Sequence, residues 1–160
     1  MMCELSSFAY STETHERLLA TARWTLHGAR GADASERDWI AATFGGSWPQ
    51  EAEAGSNWFA RDEQGRTCGF ATYEQRQFRY WWLEGWLDKP DVGLFGPMGV
   101  SQETRGRGLG TVLTQRALQS LKELGFQRAL IPAVGPVEFY ERCCGARVIQ
   151  RLECPPQRLS

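Results

Sequence analysis

VSQETRGRGLGTVLTQRALQSLKELGF, residues 100–126, begins as the end of a strand and finishes as a helix. Between the two sits Arg105-Gly106-Arg107-Gly108-Leu109-Gly110, with three glycines at alternate positions and two arginines among them. A glycine at a helix start costs about 1 kcal/mol relative to alanine, so three together need a reason. Two reasons are open: the strand-to-helix turn is simply tight, or something anionic approaches the backbone there. A helix start offers unpaired N–H groups and the positive end of the dipole, which suits phosphate. Glycines without Cβ would let a diphosphate lie against those amides, and Arg105 and Arg107 would add charge-assisted bonds.

The helix that follows has an apolar face of Leu109, Val112, Leu113, Ala117, Leu118, Leu121 and Leu124, and Gly125 marks its end. Upstream, VGLFGPMGV (92–100) reads as a buried strand. Downstream, FQRALIPAV (126–134) predicts a strand, PVEFYERCCG a short helix begun by Pro136, and ARVIQRLE a final strand. Towards the N-terminus, CELSSFAYS suggests an edge strand, and TETHERLLATARWTLHG (12–28) a helix ending at Gly28. SERDWIAATFGG (35–46) predicts a second helix, with Ser35 and Asp38 in capping-box spacing. SWPQEAEAGS is a polar connection, and residues 57–75 form a hairpin turning at Asp62–Gly65. The expected class is therefore α/β with a mixed sheet, in the order β-α-α-β-β-β-α-β-α-β, as one domain over residues 1–160.

Composition narrows the setting. The chain has 160 residues, 42% hydrophobic and 23% charged, with a net charge of −1. That fits a globular protein without a global field for nucleic acid or an anionic membrane. No apolar run approaches the roughly 18 residues of a membrane span, and MMCELSSFAY lacks the pattern of a secretory signal. The five cysteines (Cys3, Cys68, Cys143, Cys144, Cys154) contain no Cys-x-x-Cys pair. They predict reduced thiols in a cytoplasmic protein, with no zinc site. Adjacent Cys143 and Cys144 read as packing residues, with a redox pair as the alternative.

Two familiar phosphate loops fail on their own terms. A P-loop needs lysine before its Ser or Thr, and Leu109-Gly110-Thr111 has none. A dinucleotide fingerprint needs Gly-x-Gly-x-x-Gly and a later acidic residue on the next strand, whereas FQRALIPAV contains no carboxylate. Val100 followed by Arg105-x-x-Gly108-x-Gly110 instead resembles the coenzyme A diphosphate loop of the GNAT superfamily of N-acetyltransferases. EFYERCCGARVI resembles a second segment of that family, with Phe139, Tyr140, Glu141 and Gly145 matching. Ala133, Pro136, Arg142 and Ala146 depart from the family's usual residues, and Ala133 stands where asparagine is common.

The resemblance implies acetyl-coenzyme A as acyl donor and no metal. It implies that the strand ending at Met98, Gly99 and Val100 splays from its neighbour and offers amides to the pantetheine and the thioester oxygen. Arg105, Gly106, Arg107, Gly108, Leu109, Gly110 and Thr111 would hold the diphosphate. Tyr140 would be the general acid, since a phenol of reference pKa about 10 can donate to a departing thiolate. The alternative for Tyr140 is an aromatic packed at a helix end.

The general base is not legible: Glu74, Glu84, Asp88 and Asp91 flank the strand as surface charges, and a water chain is the other route. His15 and His27 read as surface or packing residues. FRYWWLEGW places Trp81, Trp82 and Trp86 just before the cofactor strand. Indoles stack on sugars or hold cations, and they equally form a homodimer patch or satellite core. The FGP and VGPVEFYE stretches are similar to acetyltransferases of amino-sugar recycling, so the expected acceptor is a small-molecule primary amine such as a hexosamine. Polyamines, peptide N-termini and antibiotics stay open. A non-catalytic acyl-coenzyme A sensor is the alternative from a different functional class.

Overall fold

The computed structural model describes residues 1–74, 83 and 85–151. Its elements run β1 (Met2–Glu4), α1 (Thr12–Ala22), β2 (Thr25–Arg30), α2 (Ala34–Thr43), α3 (Trp48–Ala54), β3 (Ser56–Arg61), β4 (Thr67–Tyr73), β5 (Val92–Val100), α4 (Leu109–Glu123), β6 (Arg128–Leu130) and α5 (Val137–Cys144). The strands form one mixed sheet in the order β1-β6-β5-β4-β3-β2. Neighbours are antiparallel except β5 and β6, which run parallel. No helix among the described residues is long and apolar enough to cross a membrane.

Helix α4 carries the main core. Leu109, Val112, Leu113, Ala117, Leu118 and Leu121 are all buried on one stripe, and burying a leucine or valine stabilises by about 1.5–3 kcal/mol. Close seating depends on two small strand residues. A Cβ at Gly69 would meet Leu113 at 2.8 Å, and one at Gly93 would meet Leu121 at 2.9 Å. Leu124, expected on the apolar stripe, is 61% exposed because it caps the helix after its last turn. On the opposite face of the sheet a separate cluster joins Ile40, Ala52, Phe59 and Phe70 with Trp39, Phe44 and Trp48. Alternation along β4 sends Phe70 to one cluster and Ala71 to the other.

Several expectations from the sequence need correction. The first helix stops at Ala22, where Arg23 takes a left-handed cap at φ 55, and Trp24 begins the return. Residues 25–30 are strand β2, paired with β3 from Thr25↔Arg61 to Arg30↔Ser56. Leu26 had extended the helical spacing by coincidence, and Gly28 is a poor helix residue. In the strand Gly28 lies opposite Trp58, whose ring covers it.

The second helix is capped by Asp33 rather than Ser35. Asp33 Oδ1 accepts from Glu36 N at 2.8 Å, and Asp33 N donates to Glu36 Oε2 at 2.9 Å, a complete capping box. The segment expected as a polar connection forms α3, with a proline in its first turn. At the C-terminal end, the described residues after α5 contribute only a bridge between Met2 and Arg147 rather than a strand. Residues 152 and 153 of the expected strand lie outside the described residues. The observed order is β-α-β-α-α-β-β-β-α-β-α, still α/β with a mixed sheet.

Candidate active site

Strands β5 and β6 pair over only three positions: Val92↔Arg128, Gly93↔Ala129 and Leu94↔Leu130. Beyond Leu94, β5 continues along β4 to Val100 while the other chain turns away, so a wedge opens between them. Ser101 N donates to Cys68 O at 2.8 Å. In an antiparallel ladder the amides alternate in direction. The pair Phe70↔Gly99 is therefore hydrogen-bonded, and Met98 and Val100 turn their N–H groups to the wedge side. The three residues expected to act together thus divide. Gly99 faces β4 and lacks a Cβ where the Phe44 ring packs.

A cleft of about 370 Å³ fills the wedge. Phe95 and Met98 line it from β5, residues 131–136 from the loop after β6, and Tyr140 from α5. Ser47, Trp48 and Glu51 close it from the side of α3. Tyr140 is buried and meets Phe139 edge to face at 4.9 Å. Burial above all, and then the neighbouring Cys143 and Cys144, push its phenol above the usual tyrosine range. It is therefore protonated at neutral pH, the form a proton donor needs.

The glycine loop adjoins this wedge. Thr104 anchors its entry, with Oγ1 donating to Ser101 O at 3.0 Å. Gly108 is the N-cap of α4 at φ 89, and no side chain caps the helix. The first-turn amides of Leu109, Gly110 and Thr111 have no partner within the helix. Arg105, Gly106, Arg107 and Gly108 are exposed, and the Arg107 guanidinium lies 4.8 Å over the Trp24 ring. A Cβ at Gly106 would meet nothing within 4 Å, whereas one at Gly110 would touch Phe139 and Met98 at 3.6 and 3.8 Å. Met98, which lines the wedge, and Phe139 therefore stand beside the first turn of α4. Uncapped amides, open backbone and two arginines are a donor set that fits a diphosphate, with the wedge beside it fitting an extended thiol arm.

Sequence reasoning did not single out Glu51. It is buried, and the Ser47 hydroxyl donates to Glu51 Oε1 at 2.6 Å. The readable signal was Ser47-Trp48-Pro49 followed by Glu51, a helix start mistaken for a polar connection. Of the flanking acids, Glu74 Oε1 accepts from Leu94 N at 3.0 Å, and Asp91 pairs with Arg128 at 2.8 Å. The Arg128 bond holds the Asp91 carboxyl below its usual range. Glu84 lies outside the described residues. Neither histidine enters the wedge lining: His27 Nε2 lies 3.0 Å from Glu36 Oε1, and buried His15 stacks on Tyr10.

Trp81 and Trp82 lie outside the described residues. Trp86 is packed with Leu83, Leu87 and Met2 and carries Lys89 over its ring at 4.3 Å. It lines a smaller hollow that shares Pro132 and Ala133 with the wedge, but not the wedge cleft itself. Cys3, Cys68, Cys143 and Cys144 are free thiols, Cys154 lies outside the described residues, and no metal-binding cluster occurs among those described.

Comparison with known proteins fits this geometry. The acetyltransferase (GNAT) family matches residues 14–146. No curated relative matches the sequence. Among solved structures, the chain is similar to a glucosamine N-acetyltransferase region of a fungal multi-domain beta-N-acetylglucosaminidase, with 21% identity and a TM-score of 0.65. That match covers 89% of this chain and only 19% of the fungal one. It is also similar to a GNAT family N-acetyltransferase of Escherichia coli in complex with CoA, at 17% identity and TM-score 0.56, covering 75% and 67% of the two chains. A third likeness is to glucosamine-6-phosphate N-acetyltransferase of Arabidopsis thaliana, at 13% identity and TM-score 0.56, covering 82% and 99%. At these identities the likeness is one of fold.

Proposed function

The chain belongs to the acetyltransferase (GNAT) family, and we propose that it acetylates the primary amine of a small molecule, an amino sugar in the first instance, by direct attack in a ternary complex. Acetyl-coenzyme A is the donor and supplies an acetyl thioester when bound. The observation that carries the reading is the wedge: the open edge of β5 and the buried Tyr140 line one cleft, beside an uncapped helix start.

Arg105, Gly106, Arg107, Gly108, Leu109, Gly110 and Thr111 hold the diphosphate, with amides supplying direction and arginines supplying charge. Met98 and Val100 orient the arm along the wedge through their outward amides. Tyr140 holds the proton that the leaving sulfur receives. The fungal and plant neighbours, both named for glucosamine-type acceptors, support the sugar.

Initial rates at crossed concentrations of acetyl-coenzyme A and glucosamine test the reading. Direct attack predicts intersecting double-reciprocal lines and mass-detected N-acetylglucosamine. Parallel lines, the mark of a covalent acyl-enzyme, would contradict it.

A further inference from the structure

The Cys143-Cys144 pair at the end of α5 takes no part in the wedge lining. A third thiol stands with it. Cys3 is buried on β1, and its Sγ donates to Cys144 O at 3.2 Å, 141 positions away in sequence. Cys144 Sγ in turn donates to Tyr140 O at 3.2 Å, one turn back in α5. Cys68, the fourth described thiol, is bonded elsewhere, to Ala60 O in the β3–β4 hairpin.

The backbone holds the elements of this group together. Met2 N donates to Arg147 O and Arg147 N to Met2 O, both at 2.8 Å. Strand β1 is thereby fastened to the chain just past α5, and it also pairs with β6, with Cys3 opposite Ala129. Cys3 and Cys144 are kept near each other by bonds that do not involve their side chains.

The sulfurs differ in access and in acidity. Cys144 is half-buried and lines a hollow of about 460 Å³ together with Arg128 and Arg147, whereas Cys3 and Cys143 are buried. Hydrogen bonds from Cys143 first, and from Cys3 next, hold the Cys144 thiol below the usual thiol range. The contact with Cys144, and then burial, push Cys3 above that range. Reaction with an oxidant follows thiolate character and exposure, so Cys144 reacts first. Cys143 is its neighbour in one helix, where consecutive side chains do not face each other, and the Cys143 thiol points to Thr111 O at 3.9 Å. Cys3 is the partner offered by another element.

We propose that Cys144 and Cys3 are a peroxide-sensitive dithiol that closes to a reversible disulfide, joining the end of α5 to β1. Cys144 gives up its proton, and its sulfur attacks one oxygen of hydrogen peroxide. The oxygen–oxygen bond breaks, the departing hydroxide takes that proton as water, and Cys144 becomes a sulfenic acid. The Cys3 sulfur then bonds to Cys144 as the sulfur–oxygen bond breaks, and the Cys3 proton leaves with the hydroxide as a second water. Two thiols are oxidised by two electrons and one peroxide is reduced. The new bond draws the Cys144 sulfur from Tyr140 O towards Cys3, and so alters the last turn of the helix that carries the phenol. Oxidation then lowers turnover, a consequence that rests on the acetyl-transfer reading above, whereas the disulfide does not.

The test treats the full chain with hydrogen peroxide, removes the excess with catalase, and maps peptides by mass spectrometry without reduction. A Cys3–Cys144 linked peptide, reversed by dithiothreitol, is the expected product. The melting temperature of the oxidised protein should lie roughly 5–15 °C above that of the reduced one, since the bond closes most of the chain into one loop. Cys143→Ser should keep the link. Cys3→Ala should stop at a Cys144 sulfenic acid that dimedone labels. If Cys3→Ala does not fold, Cys144→Ser tests the same bond by losing both the link and the gain in melting temperature. Turnover of the oxidised wild type should be lower by roughly tenfold, because small misplacements of a catalytic group are costly, and dithiothreitol should restore it. A link with unchanged turnover would overturn the hold on Tyr140. Sulfinic or sulfonic products without a link, or a disulfide between any other pair of the five cysteines, would overturn the proposal. A protein that forms the link and acetylates no amine in either state would keep the disulfide and overturn the transfer reading.

Discussion

The rings of Phe95 and Tyr140 meet edge to face, 6.0 Å between centroids and 75° between planes. Phe95 is the first β5 residue beyond the last pair with β6, so the contact places the phenol where the two strands part. Tyr140→Phe keeps both ring contacts and removes only the proton donor. Turnover should fall roughly ten- to a thousand-fold, bracketing general-acid effects, with acetyl-coenzyme A affinity unchanged by calorimetry. Unchanged turnover under rate-limiting chemistry would assign the proton to water.

The glycine loop needs a variant that separates ligand from fold. Gly108→Val does not, because its Cβ would press on Leu18 at 2.9 Å. Gly106 has φ 73 and open space where a Cβ would stand. Gly106→Ala therefore costs about 1–2 kcal/mol of backbone strain without a clash. A melting temperature lower by a few degrees, together with at least a tenfold loss of acetyl-coenzyme A affinity, is expected. Affinity equal to wild type would mean the loop glycines serve the turn alone.

The sequence made α4, β5 and the loop between them legible, because their periodicity and their glycines are local signals. Strand β2 was not, since Leu26 kept a helical interval and only pairing with β3 decided its state. Tyr140 could be found from its motif, whereas Glu51 could not. Its meaning depends on α3 reaching the wedge across the sheet, a relation between residues 51 and 140 that no spacing encodes. The tryptophan-rich stretch drew attention by composition, yet the indole that lines the wedge among the described residues is Trp48.

Stability should carry a histidine signature on the acid side. His15 is buried, and desolvation is the main cause that lowers its pKa below the ordinary value of 6.5. The unfolded chain then binds a proton that the folded one refuses. Stability is full above pH 6.5 and falls as pH drops from 6.5 towards the folded-state pKa. His15→Gln should flatten that part of a urea-midpoint profile. A wild-type midpoint that is constant or rises on acidification through this window would contradict the burial argument.

Under the proposed reading, a cationic acceptor is expected to be preferred over an anionic one. Its described lining includes Glu51 and no lysine, arginine or histidine. A phosphate brought near the Glu51 carboxylate would meet like charge. Glucosamine should therefore show a higher kcat/KM than glucosamine 6-phosphate, by about tenfold or more. The reverse order would place a cation in the acceptor site and move the assignment towards phosphorylated sugars.

The most direct measurement is free-thiol release from acetyl-coenzyme A by the wild-type chain, with and without a panel of primary amines that includes glucosamine, polyamines and peptide N-termini. Amine-dependent release, matched one to one by acetylated amine and greatest for a small amino sugar, is the predicted result. Tight binding of acetyl-coenzyme A with no amine-dependent release across the panel would contradict the account, and would make the chain an acyl-coenzyme A sensor instead.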